Sequence, residues 1–114
     1  MKYMLIHTID PNAEHSTDGV PTCDAWLAEM LARGVNLYGD RLRDVSDATT
    51  VQVRNREVLV SDGPFAETKE QIAGYDVIEC TDLDEAIEVA AKHPTAWLGT
   101  IEVRPIQDDP CGSP

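Results

Sequence analysis

Large aromatic side chains are scarce in this chain: one Phe, three Tyr and two Trp among 114 residues. A domain of this size hides roughly two-thirds of the surface that its unfolded chain exposes, which is one core and no more. A core so poor in large residues gains from a partner surface, and a second copy of the chain is the simplest one. Basic residues are scarce as well. Nine Lys and Arg stand against 21 Asp and Glu, a formal charge of -12, which repels phosphate backbones and anionic lipid surfaces. Nucleic acid and membrane are therefore excluded as first partners. Cys23, Cys80 and Cys111 are odd in number and far apart, without a C-x-x-C pair, so neither a disulfide framework nor a zinc knuckle is indicated. No apolar run approaches ~18 residues, and Met1-Lys2-Tyr3-Met4-Leu5-Ile6 is too short for a signal segment. A soluble, cytoplasmic protein is expected. A phosphate loop, a nucleophile elbow and a dinucleotide fingerprint are missing too. No His stands beside a carboxylate or Cys at ligand spacing, so neither a cofactor nor a dedicated metal site is expected.

What is present reads as alternating strands and helices. Lys2 to Ile9 is an apolar, β-branched run closed by Asp10-Pro11. After a polar loop, Thr22 caps a helix carrying Trp26, Leu27, Met30 and Leu31 on one side, and Gly34 ends it. Val35 to Tyr38 is a short strand stopped by Gly39-Asp40. Thr49 to Arg54 and Glu57 to Ser61 form a hairpin about Asn55-Arg56. Ala66 to Ile72 is expected to hold one or two helical turns, and Gly74 to Cys80 the next strand. Asp82 caps a second helix, with Glu85 as in a capping box and Leu83, Ala86, Ile87 and Ala90 in helical register. Pro94 stops it. Gly99 to Arg104 is the last strand, within a single domain over residues 1–105, and residues 106–114 read as a flexible tail.

Without the hairpin the order is β-α-β, β-α-β, which predicts an α+β, ferredoxin-like split βαβ fold: an antiparallel sheet with both helices on one face. Alternation assigns Ile78, Cys80, Ile101 and Val103 to the helix side. The open face should then carry Tyr75, Glu79, Glu102 and Arg104, and by the same parity Tyr3, Leu5 and His7. Aromatics mixed with paired charges on an open sheet suggest a dimer interface with a pocket in it.

The densest polar stretch is Asp62-Gly63-Pro64-Phe65-Ala66-Glu67-Thr68-Lys69-Glu70-Gln71, between the Val-rich hairpin and Gly74-Tyr75. With the opening Met1-Lys2-Tyr3-Met4, Ala48-Thr49-Thr50-Val51, Asp82-Leu83-Asp84-Glu85-Ala86 and the closing Glu102-Val103-Arg104-Pro105, it resembles the DGPF family of the YCII-related superfamily. The resemblance implies a ferredoxin-like protomer in a dimeric α/β barrel, a function largely unsettled across the family, and for some members an association with extracytoplasmic-function sigma factors. Other branches are credited with a catalytic His near the start of the first helix and an Asp just after the second. Here those places hold Cys23 and His93-Pro94, so that pair is not carried over.

The candidate residues each have a structural and a functional reading. Asp62 is either a general base or a cap of its turn. Gly63 and Pro64 are backbone devices beside the pocket, and Phe65 plugs a core or interface or stacks on a ligand. Glu67 and Lys69 either pair locally or place a cation for an anionic ligand. Arg104 either clamps a carboxylate or pairs with Glu102 of a neighbouring chain or with Glu79. His7, in a strand interior, is an acid/base candidate or a hydrogen-bonded interface residue. Together these lead to a homodimer that binds an unidentified small molecule, or performs cofactor-free acid/base chemistry on it. In that scheme Asp62 and His7 move protons, while Gly63, Pro64, Phe65, Glu67, Lys69, Tyr75, Glu102 and Arg104 line the pocket. The alternative is a non-catalytic module that docks on a sigma factor.

Overall fold

The computed structural model describes residues 1–14, 16–66, 70–108 and 111. Expected pocket residues Glu67 and Lys69, and residues 109, 110 and 112–114 of the expected tail, lie outside the described residues. The elements are β1 (Lys2–Ile9), α1 (Cys23–Ala32), β2 (Asn36–Arg41), β3 (Thr49–Arg54), β4 (Glu57–Asp62), β5 (Gln71–Glu79), α2 (Leu83–Ala91), α3 (Pro94–Leu98) and β6 (Thr100–Pro105). β2, β5, β1 and β6 form, in that order, a four-stranded antiparallel sheet, and β3 with β4 forms a separate ribbon. The fold is α+β with an antiparallel sheet, compatible with the ferredoxin-like order read from the sequence.

The local signals act as polar chemistry requires. Thr22 Oγ1 accepts from Ala25 N, and Asp82 Oδ1 from Glu85 N, while Glu85 Oε1 accepts from Thr81 N; these bonds satisfy donors that a helix start leaves unpaired. Gly34, at φ +70°, lets Val35 N reach back to Met30 O and close α1. Asn55 and Arg56 both have positive φ, the two-residue turn that suits the twist of a hairpin. Other expectations are corrected. Pro94 does not merely stop α2; it opens α3 at its first turn, where a missing N–H costs nothing. β2 runs past Gly39-Asp40 to Arg41 because pairing with β5 supplies the hydrogen bonds that turn chemistry would have taken. No helix forms among the described residues of 66–72, and Gln71 already belongs to β5.

The largest correction concerns β1. Directly paired residues share a face, and Tyr3 faces Ile78, Leu5 faces Asp76 and Val103, and His7 faces Gly74 and Ile101. Tyr3, Leu5 and His7 are thus buried under the helices, among Trp26, Met30, Ile78 and Val89. Met4, Ile6 and Thr8 take the open face with Tyr75, Val77, Glu79, Glu102 and Arg104. The two alternating sets of β1 are almost equally apolar, so parity could not choose between them. The choice falls where Leu5 is fully enclosed, worth roughly 2–3 kcal/mol, and where the polar end of His7 finds a partner.

The ribbon sets the shape. The radius of gyration is 16.3 Å and the extents are 48 × 40 × 19 Å, against about 13 Å for a compact chain of this length. Val51 pairs with Val60 and Val53 with Val58, and these side chains are 56–63% exposed on one face of the ribbon.

Gly39 has a steric duty. A Cβ there would overlap Asp76 Oδ1 and the Tyr75 carbonyl. Gly39→Ala is therefore expected to cost about 1–3 kcal/mol by chemical denaturation and to displace Asp76; an unchanged midpoint would show that the strand yields freely there.

Candidate functional site

The described side chains that converge most closely lie under the helices. Position 74, opposite His7 on β5, is glycine, and a Cβ there would press on the Asp40 carbonyl and Arg41 Cα of β2. His7 Nε2 lies 2.7 Å from Asp76 Oδ2, and Asn36 Nδ2 donates to Asp76 Oδ1 at 3.2 Å. Both carboxylate oxygens are held. With the carboxylate ionised, His7 carries a proton on Nε2, and Nδ1 is buried without a hydrogen-bond partner. The His7 side chain is 7% exposed and that of Asp76 15%; the carboxylate is the end of the pair nearer to solvent.

His93 stacks on His7, with ring centroids 4.2 Å apart, and Trp26 meets His93 edge-on at 4.7 Å. Trp26 is itself fixed by an Nε1–H bond to Val89 O. His93 caps α3: its Nδ1 accepts from Thr95 N at 3.0 Å. Burial, reinforced by His7 and partly offset by Asp76, pushes the His93 pKa down to about 4. The neutral ring, whose Nδ1 lone pair is already engaged, therefore carries its proton on Nε2.

His7, Asp76 and His93 offer ligand atoms within 4.8 Å of one another, a grouping that the sequence did not suggest. Metal-binding imidazole needs a lone pair on one nitrogen and usually donates from the other. His93 has the opposite assignment, since its Nδ1 accepts from the backbone and its Nε2 bears the proton. Coordination would require breaking the α3 cap, so the trio fits hydrogen bonding and proton transfer better than a metal ion.

Cys23, the first residue of α1, stands at the outer side of this cluster. Its thiol is pushed up by partial burial, then by the charges of Asp76 and Asp24, against the opposing pull of Arg41. It remains a thiol at neutral pH, a weak nucleophile.

The residues expected from the sequence are divided between the two sides of the sheet. Asp62 ends β4 opposite Thr49 and is exposed, on the separate ribbon, whereas His7 lies in the four-stranded sheet. Gly63 has φ +91° and is pinned through its N–H to Ala48 O and its carbonyl to Thr50 Oγ1, the backbone role expected of it. Pro64 is half-buried, and Phe65 is 80% exposed, so within this chain it plugs no core. Beyond the loop, the Glu70 carboxylate reaches Thr100 Oγ1 at 3.3 Å and Thr8 Oγ1 at 3.5 Å, toward the open face. There Tyr75 OH donates to Asp40 Oδ2, and Arg104 pairs with Glu102 of the same chain at 3.4 Å, both ends exposed. Loss of solvent around the Tyr75 phenol, together with Asp40, pushes its pKa up. A separate groove of about 240 Å³, lined by Ile9, Leu42, Val45 and Ile72 among others, flanks the start of β5.

Asp76, Asn36 and His93 were missed. A signal for Asp76 was available: in Tyr75-Asp76-Val77-Ile78 it shares the parity of Ile78 and Cys80, and an acid on the inward set needs a buried partner.

Residues 1–108 match the YCII-related domain family. The chain belongs to the YCII-related family. A relative within reach of sequence comparison, an uncharacterized protein of Rhizobium meliloti (strain 1021), is 44% identical over 68 residues. That match covers 58% of this chain and 55% of the relative, so the chain spans about half of the relative's length. For this YCII-related chain the His and carboxylate that meet are His7 and Asp76, from two sheet strands.

Proposed function

We propose that this chain binds a small organic molecule beside Asp76 and performs cofactor-free acid/base chemistry on it. The observation that carries the reading is the enclosed His7–Asp76 contact at 2.7 Å with Asn36 on the second oxygen. A carboxylate oriented on both oxygens, at the solvent-facing end of a buried pair, is placed to take a proton from an acidic C–H or O–H and return it elsewhere on the molecule. His7 and Asn36 are then positioning residues. Cys23 and Arg41 flank the approach, and Arg41 supplies positive charge for a developing anion. The open face and the described loop residues Asp62 to Ala66 fall to the assembly of a homodimer rather than to the proton transfer.

A thermal-shift screen with small carboxylates, aromatic acids and aldehydes tests this, comparing wild type with Asp76→Asn and Asp62→Ala. A compound that binds only the folded state raises the midpoint. It should shift wild type and Asp62→Ala alike and Asp76→Asn weakly or not at all. A shift lost in Asp62→Ala and kept in Asp76→Asn would move the site to the loop.

The exposed Val face of the ribbon favours a second reading, a non-catalytic module docked on an extracytoplasmic-function sigma factor. Stoichiometric recovery of such a factor at native expression, with no small-molecule shift, would favour it.

A further inference from the structure

On the helix side of the sheet Arg41 of β2, Gly74 of β5 and His7 of β1 pair in one row, and Gly39, Asp76 and Leu5 in the next row but one along the strands. Diagonal neighbours on one face lie roughly 7–8 Å apart, so Arg41 stands one diagonal step from Asp76, within reach of a long side chain. Gly74 puts no side chain of β5 between Arg41 and the His7–Asp76 contact. The guanidinium and the carboxylate nonetheless do not pair. Asp76 is taken by His7 Nε2 and Asn36 Nδ2, and Arg41, exposed, has no ion pair among the described residues. The other described cations in that position, Lys2, Arg54 and Arg56, lie on the open face or on the ribbon. In a chain with nine Lys and Arg against 21 Asp and Glu, Arg41 is thus a cation without an anion on the side of the sheet where the carboxylate is fixed. The Cys23 thiol feels the charge of both Asp76 and Arg41, which places all three around one entrance.

We infer that the molecule bound beside Asp76 is a short oxo acid, its carboxylate held by Arg41 and the C–H next to its ketone turned toward Asp76. This rests on the acid/base reading above and names its substrate class. Two arguments choose the class. The first is charge. A net charge of -12 repels anions in general, so an anion gains only where it meets the guanidinium, whose planar fork matches a carboxylate bidentately. Asp76 at one diagonal step opposes a dianion such as phosphate more than it opposes a monoanion. The second is acidity. An aspartate base removes a proton that is already acidic, and a carboxylate by itself does not acidify its neighbouring C–H enough; a ketone does. The C–H electron pair then passes into the ketone as an enolate, the proton rests on Asp76, and its return to a different atom of the same molecule completes an isomerisation that needs no other reactant. The diagonal spacing suits an acid of about three to five carbons.

The test is a thermal-shift titration with 2-oxobutanoate and 4-oxopentanoate, each beside its methyl ester, at constant ionic strength, in wild type, Arg41→Met, Arg43→Met and Asp76→Asn. An exposed Arg without an ion pair is replaced at little cost to the fold, which circular dichroism checks; Arg43→Met controls for the change in net charge. At least one acid is expected to bind wild type and Arg43→Met about 10-fold or more tighter than its ester. Arg41→Met should lose that preference and bind the ester as wild type does. Proton NMR in deuterium oxide should show the C–H beside the ketone of that acid exchanging faster with wild type than with Asp76→Asn. Esters that bind wild type as tightly as their acids overturn the substrate class and, where Asp76→Asn still abolishes their exchange, leave the acid/base reading standing. A preference that survives in Arg41→Met, or that inorganic phosphate matches, also overturns it. An acid that needs Arg41 yet exchanges equally fast with Asp76→Asn removes the acid/base reading itself. Failure of both acids to shift wild type at about 10 mM overturns the proposal.

Discussion

Asp76→Ala is expected to lower the unfolding free energy by about 2–3 kcal/mol, one of the largest losses available from a single substitution outside the apolar core. The His7 ring is already enclosed with Nδ1 unpaired. Removing the carboxylate leaves both of its nitrogens without protein partners, and frees Asn36 Nδ2 as well. Urea unfolding at neutral pH and fixed protein concentration measures this. Asp76→Asn is the informative companion. Its amide cannot accept from both His7 and Asn36, so the least costly arrangement turns its NH₂ toward His7 Nε2 and moves the His7 proton to Nδ1. Nitrogen NMR of the imidazole should show that tautomer change, with a stability loss of about 1 kcal/mol. A loss below that for Asp76→Ala, with an unchanged His7 spectrum, would mean that the pair contributes little to holding the ring.

The second large effect is acid lability arising from His93. Its folded pKa is about 4, below the ordinary 6.5. A histidine kept neutral by the fold contributes stability that is fully present above 6.5, because only the unfolded chain gains a proton as pH falls below that value. The contribution drains between pH 6.5 and 4 and then levels off. Its full span is roughly 3 kcal/mol. The groups facing His93 are His7 from β1, Asp76 from β5 and the uncharged Trp26 from α1. Glu29, Glu88 and Asp44 are held below the usual carboxylate range by Lys92 and Arg33, by Arg33 and Lys92, and by the Ser46 backbone N–H respectively. Their contributions are lost only as pH falls below the ordinary carboxylate range, beneath most of the His93 window. His93→Phe keeps a ring in the stack but loses the α3 cap, about 1 kcal/mol at pH 7. Its stability should then be nearly flat from pH 6.5 to 4.5. A variant that declines as steeply as wild type over that range would show that His93 is not the group responsible.

The two effects trace to the same few contacts, and neither was legible residue by residue. The caps at Thr22 and Asp82, the close of α1 at Gly34 and the hairpin about Asn55-Arg56 were readable because each is a local hydrogen-bond problem with a local solution. The helical face of α1 was readable only in part: Trp26 and Met30 are buried as expected, whereas Leu27 and Leu31 stay exposed on the described chain. The polar loop Asp62–Gln71 attracted attention because its residues are dense in chemistry. Density along the chain proved a poor guide to density in space, since the described part of that loop lies with the ribbon and the open face.

Sequence alone settled the order of the six strands and the two longer helices, the inward apolar set of β5 and β6, and membership of the YCII-related family, because these depend on periodicity, caps and a long contiguous match. Which face β1 buries was decided only by tertiary structure, where pairing to Ile78, Gly74 and Ile101 breaks the near-tie between its two alternating sets. The meeting of His7, Asp76, Asn36 and His93, contributed by β1, β5, β2 and the cap of α3, was likewise a tertiary decision. Those residues lie far apart along the chain, and what brings them together is the register of three strands and one short helix, a long-range property that no local pattern encodes.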